Sequence, residues 1–141
     1  MSIIIVRSIC IITLLALTSC VTWDSGYRPT REETLDIFIA VLKSRLARTP
    51  LPQHRDLYVF LNEGVIPGLA ASFKDYRVIV RGGSPGSSPP HARWYYLHMG
   101  RYAPDKAFVY LEASERSGYI VKLKKREGKW IVVDESKFVL T

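Results

Sequence analysis

Histidines, serines, cysteines and paired carboxylates are the residues with which a chain like this would do chemistry, and their spacing here offers little of it. The histidines are His54, His91 and His98. His54 follows Leu51-Pro52-Gln53 in a connector, His91 closes a proline-rich loop, and His98 shares an alternating strand face with Trp94 and Tyr96. A structural or catalytic metal needs three or four convergent ligands, and no His-x-x-His, His-Glu-x-x-His or cysteine-containing ligand spacing occurs. The expectation is solvated or edge-packed histidines, with no metal and no cofactor. Ser84, Ser87 and Ser88 lie in the segment Arg-Gly-Gly-Ser-Pro-Gly-Ser-Ser-Pro-Pro from Arg81 to Pro90, without the Gly-x-Ser-x-Gly elbow that exposes a nucleophile. Arg81-Gly82-Gly83-Ser84 could offer backbone N–H groups to a phosphate, but Gly-Lys-Ser/Thr is absent and a flexible linker is the simpler reading. The acids Glu112, Glu115, Asp134 and Glu135 would approach one another only if their strands were neighbours, and an intervening strand is expected to part them. They are read as salt partners for lysines, and the chain as one without catalytic residues.

Two features suit contact better than catalysis. Lys122, Lys124, Lys125, Arg126 and Lys129 form a run dense enough to touch an anionic surface, the alternative being a solvated hairpin tip. The segment from Arg93 to Tyr102 reads Arg-Trp-Tyr-Tyr-Leu-His-Met-Gly-Arg-Tyr and places aromatic residues on both faces of one strand. If one face packs on a helix, the other presents Trp94, Tyr96 and His98 with Arg93 and Arg101 nearby, a composition enriched at protein interfaces. The alternative is that helix and loop cover both faces.

The elements that must position these residues follow from composition and pattern. With 141 residues, 48% hydrophobic and 23% charged, the chain has room for one globular domain and is too apolar for disorder. Its net charge of +7 favours anionic surroundings, and two cysteines cannot make a disulfide framework. Thr30-Arg31-Glu32-Glu33 fits a capping box, with the Thr30 hydroxyl accepting from Glu33 N–H and the Glu33 side chain reaching back. Leu35, Phe38, Ile39, Leu42 and Leu46 then recur at helical spacing, acids open the helix, Lys43, Arg45 and Arg48 close it, and Pro50 and Pro52 stop it. A helix over 31–48 is expected.

Asp56 to Leu61 and Tyr76 to Val80 read as strands, with a short helix from Pro67 to Phe73 or Lys74 between them. From Arg93 to Leu140 the alternation is near two, and turns at 103–105, 114–118 and 127–128 divide it into strands over 93–101, 106–114, 118–126 and 129–139. Short connections make antiparallel neighbours, so a four-stranded meander is expected. A two-residue turn at Glu127-Gly128 sets Leu123 opposite Val132 and Lys125 opposite Trp130, with Lys124 facing Ile131 and Lys122 facing Val133. The fold class is α+β: an N-terminal helix packed on a curved antiparallel sheet whose C-terminal part is that meander.

The first twenty residues carry an address. Residues 8–20 are an apolar run of signal-peptide length behind Arg7, ending in Leu17-Thr18-Ser19-Cys20. A membrane span needs about 20 predominantly apolar residues. The stretch from Ile3 to Val21 is broken by Arg7, Ser8, Thr13, Thr18 and Ser19, so an uncleaved anchor is the alternative. Leu17-Thr18-Ser19-Cys20 resembles the bacterial lipobox. The resemblance implies a signal peptide over 1–19, a lipidated tether over 20–29 and one domain over 30–141. It also implies that Cys20 carries the acyl chains, palmitate among them, which hold the protein to the bilayer, and that Cys10 leaves with the signal. Val21 after the cysteine, rather than Asp, implies the outer membrane, with the domain facing the periplasm.

The order helix, strand, short helix, strand and meander, ending in Gly128-Lys129-Trp130, is similar to small α+β lipoproteins of the cystatin-like and NTF2-like kind over about residues 30–140. Such folds host several functions, so function must come from the site. The expectation is a membrane-anchored envelope lipoprotein acting as a protein-binding or accessory module. The alternatives are a basic domain contacting peptidoglycan or lipopolysaccharide, and a small-ligand or hydrolytic NTF2-like domain. Trp94, Tyr95 and Tyr96 could stack on bases, but a secreted lipoprotein rarely meets nucleic acid, and no nucleic-acid partner is expected.

Overall fold

The computed structural model describes residues 27–52, 55–86 and 92–139. Its α-helix, α1, runs Arg31–Arg48, as the sequence pattern demands. Thr30 is the N-cap, its hydroxyl accepting from Glu33 N–H at 3.1 Å. The buried arc is Thr34, Ile37, Phe38, Val41, Leu42 and Leu46, so the stripe expected through Leu35 and Ile39 is rotated, and those two are only half-buried. Apolar residues fill 37–42 almost without a break, so periodicity alone could not choose the face; the sheet does. Arg45 lies on the same arc, eleven positions after Thr34, and is drawn under the helix with it.

Six strands follow: β1 Asp56–Leu61, β2 Arg77–Gly82, β3 Arg93–Ala103, β4 Lys106–Ala113, β5 Ser117–Arg126 and β6 Lys129–Val139. They form one sheet in the order β2-β1-β3-β4-β5-β6. The meander β3 to β6 is antiparallel, as expected, but β1 pairs parallel with both β2 and β3, with Asp56 opposite Arg77 and Leu57 opposite Arg93. The sheet is therefore mixed rather than wholly antiparallel. The connections from β1 to β2 and from β2 to β3 are too long for hairpins and join parallel strands. Between β1 and β2 the expected short helix is only a 3₁₀ turn, Ala70–Ser72, which sets Leu69 into the core.

The last hairpin turns at Glu127 and Gly128, both at positive φ (52° and 76°), the conformation that matches strand twist and favours glycine. Lys125 faces Trp130, Lys124 faces Ile131 and Leu123 faces Val132. Beyond that a bulge intervenes, and Lys122 faces Asp134 instead of Val133. The bulge restores the alternation, so that Trp130, Val132 and Glu135 share the helix side while Ile131 and Asp134 do not.

The core lies between α1 and one sheet face, where Ile37, Phe38, Val41 and Leu42 meet Tyr95, Leu97, Val109, Leu111, Val121 and Leu123. Each end of the helix is tied to the last hairpin. At the N-terminal end the Glu33 carboxylate does not reach back to Thr30 as a reciprocal capping box would. It accepts instead from Lys125 Nζ and Trp130 Nε1, each at 2.7 Å. At the other end Arg45 donates to Glu135 and Arg48 forms an ion pair with it at 3.1 Å, while the Arg45 guanidinium lies 4.4 Å from the Tyr119 ring centroid. The Arg45 and Glu135 side chains are 11% and 3% exposed, so either one alone would be a buried charge without its counter-ion.

The hydrogen bond from Lys125 holds the Glu33 pKa below its usual value, helped by that from Trp130 and opposed by burial. A depressed carboxylate pKa stabilises the fold fully above the unfolded value of about 4.3, and the contribution is lost as pH falls through the lower folded-state pKa. Glu33→Gln is expected to cost about 1–2 kcal/mol at neutral pH, the scale of hydrogen bonds to a charged group. In urea unfolding followed by circular dichroism, the gap between variant and parent should narrow as pH falls below the unfolded carboxylate value of about 4.3. Glu135→Ala, which strands Arg45, should cost about 3 kcal/mol in the same assay.

Candidate functional site

Side chains alternate along a strand, so burying one sheet face under α1 turns the other set outward. Among the described residues the α-helix packs on the first face, and Leu69 ahead of the 3₁₀ turn enters the same core. The register builds the open face in rows running across the strands. One row is Phe60, Tyr96, Glu112, Gly118 and Phe138. The next is His98, Tyr110, Ile120 and Ser136, followed by Arg101, Phe108, Lys122 and Asp134, and then by Lys106, Lys124 and Ile131. Trp94 and Tyr58 face each other beyond Phe60. The face is thus aromatic over most of its length and basic at one end.

Contacts between rings fix this surface. Phe60 is 3% exposed and meets the Trp94 ring edge-on, with centroids 6.4 Å apart at 89°. His98 stacks on Tyr110 at 6.2 Å and 21°. Two strand glycines explain how the large rings lie down. A Cβ on Gly100 would come within 2.4 Å of the Tyr110 ring, and one on Gly118 within 2.3 Å of the Phe138 ring, so each ring occupies the space that a side chain would take. Tyr110 and Phe138 remain 42% and 39% exposed.

Between these rings is a cleft of about 280 Å³ lined by Asn62, Tyr96, His98, Tyr110, Leu111, Glu112 and Phe138. The Tyr96 hydroxyl donates to Asn62 Oδ1 at 2.8 Å, and desolvation raises its pKa. His98 Nδ1 lies 3.7 Å from Glu63 Oε1, which already accepts from Met99 N–H at 2.7 Å, and Nδ1 has no hydrogen-bond partner. The cleft offers stacking surfaces with a few hydrogen-bonding groups, an arrangement suited to binding.

The structure divides the surface residues read from sequence. Trp94, Tyr96 and His98 do share the open face. Arg101 joins them because of a bulge between Met99 and Arg101; unbroken alternation would have turned it towards the helix. Arg93 does not join them. It alternates with Trp94 on the Tyr95 side and donates to Glu115 Oε2 at 2.7 Å. The basic run divides too: Lys122 and Lys124 belong to the open face, whereas Lys125 turns to Glu33. The acids expected to pair with lysines pair with arginines in two instances, Glu115 with Arg93 and Glu135 with Arg45 and Arg48. β5 separates β4 from β6 as expected, so Glu112 and Asp134 lie on non-adjacent strands. His54, His91, Ser87, Ser88, Cys10 and Cys20 lie outside the described residues.

No known family, curated protein or solved structure matches this chain. The site therefore rests on its own geometry. Tyr110, Phe108, Phe138 and Asn62 were missed in the sequence, although Gly100 and Gly118 inside otherwise regular strands were a readable sign that something packs across them. Phe60→Ala should cost about 3 kcal/mol, as a buried aromatic does, whereas Tyr110→Ala and Phe138→Ala should stay within about 1 kcal/mol. Thermal and urea unfolding of the three variants check whether this face is surface or core.

Proposed function

We propose that the chain is a lipid-anchored envelope protein that acts by binding, and that the open aromatic face, centred on Trp94, Tyr96, His98 and Tyr110, is its contact surface for another envelope protein. The observation that carries the reading is that a six-stranded sheet is covered by helix on one side, while its other side holds large rings in fixed positions. Rings immobilised before contact lose little freedom on binding, and Trp, Tyr and Arg supply most of the energy at protein interfaces. Arg101 borders the aromatic rows on this face, which suits a partner with an apolar centre. Anchoring is supported by Leu17-Thr18-Ser19-Cys20, and among the described residues no helix is long and apolar enough to cross a membrane. Val21 supports the outer membrane with the domain in the periplasm.

A ligand pocket inside the curve of the sheet, the NTF2-like alternative, has less support. That side is filled by apolar side chains, and its inward acid Glu135 is taken up by Arg45 and Arg48. Mild crosslinking in cells followed by pull-down tests the binding reading. One protein should be recovered with the tagged chain, and recovery should fall at least tenfold when Trp94, Tyr96 and Arg101 are changed to Ala, a loss of about 1.4 kcal/mol or more. Cys20→Ala should release the protein from membranes. Recovery that is indifferent to the triple change, or of cell-wall material alone, would overturn the proposal.

A further inference from the structure

Tyr27 to Pro29, which lead from the proposed anchor, and a basic patch lie at the same end of the molecule. The described chain begins at Tyr27, and Tyr27 to Pro29 line a cleft with Asn62, Glu63 and Arg101, at the end of the sheet where β1 and β3 finish. The turns at 104–105 and 127–128 are at that end as well. They abut, Lys125 N–H donating to Asp105 O at 2.7 Å, and Glu33 in the first turn of α1 holds the second of them through Lys125. Cys20 precedes Tyr27 by seven positions, a reach of about 25 Å at full extension. An acylated Cys20 would hold this end within that reach of the bilayer.

This end is built to meet negative charge. Lys106 stands directly opposite Lys124 in the register, which gathers positive charge at this end. With Lys122 and Arg126 they line a cleft of about 560 Å³ beside Phe108, against the one acid Asp105. Among the described residues Lys124, Arg126 and Lys129 make no ion pair. Glu33, which pairs with Lys125, is near the patch as well, as are Asp36, Glu127 and Asp134, and those three are not salt-bridged to it. We infer that this basic end docks on the anionic phospholipid headgroups of the leaflet that carries the anchor, so that the domain stands on its β3-β4 and β5-β6 turns. This orientation rests on the lipid-anchor reading above. It sets the basic end of the open face against the headgroups and leaves the aromatic rows at Tyr96, His98 and Tyr110 farther from the bilayer, open to a partner.

The test uses the protein purified from membranes with its own N-terminus and reconstituted into vesicles of phosphatidylcholine, with or without phosphatidylglycerol. One fluorophore is placed through Pro104→Cys at the basic end and another through Asp75→Cys at the opposite end. Quenching by headgroup-labelled lipid should be severalfold greater at position 104 than at 75 when phosphatidylglycerol is present. The difference should fade in high salt and in a Lys124→Gln, Arg126→Gln, Lys129→Gln variant, whose unchanged circular dichroism shows that it folds. Equal quenching at the two positions, or quenching indifferent to lipid charge, would overturn the orientation while leaving the anchor standing. Mass spectrometry of the N-terminus decides the anchor itself: a Cys20 without acyl chains would remove both.

Discussion

Glu33, held between Lys125 Nζ and the Trp130 indole, pins the start of the helix to the last hairpin and so fixes its register on the sheet. A helix of this length gains little from its own hydrogen bonds and needs a partner for its apolar arc. The sheet supplies one, but a broad apolar face leaves a helix free to slide or rotate. Glu33 at one end and the Arg45, Arg48 and Glu135 cluster at the other remove that freedom, because each places a charge where only one register neutralises it. Apolar burial gives the adhesion and the ion pairs give the position. One helix can cover only one side of a six-stranded sheet. The other side is protected by rings laid over glycines, which shields the backbone but leaves apolar surface facing outward.

What could be read from the sequence was local. The Thr30 cap, the helix limits, the strands of the meander and the turn at Glu127-Gly128 all follow from signals within a few residues. What could not be read depended on distant partners. Glu33 satisfies the capping-box pattern, yet a lysine and an indole nearly a hundred residues away compete for the same carboxylate and win, since Lys125 brings a charge and Trp130 a donor that would otherwise be partly buried without a partner. The parallel placement of β1 was hidden for a related reason: alternation marks a strand but says nothing of its direction or neighbour.

The candidate site shows the same division. Trp94, Tyr96 and His98 fall on one face by simple alternation, whereas Arg93 leaves that face by the same rule and Arg101 returns to it through one inserted residue at Gly100. The aromatic strand was visible in the sequence as a candidate; its neighbours Tyr110 and Phe138 become part of the surface only once β4 and β6 are in register with it. In the orientation inferred for the anchored protein, the basic end of the open face takes the membrane side, and the aromatic rows at Tyr96, His98 and Tyr110 remain for recognition.

Site-specific photo-crosslinking in living cells tests most directly whether the open aromatic face is the working surface. A photoreactive phenylalanine analogue would replace Tyr110 on that face or Lys43 on the exposed side of α1. The account predicts one discrete protein adduct from position 110 and none from position 43. Adducts from position 43 alone, or equal labelling from both, would contradict it.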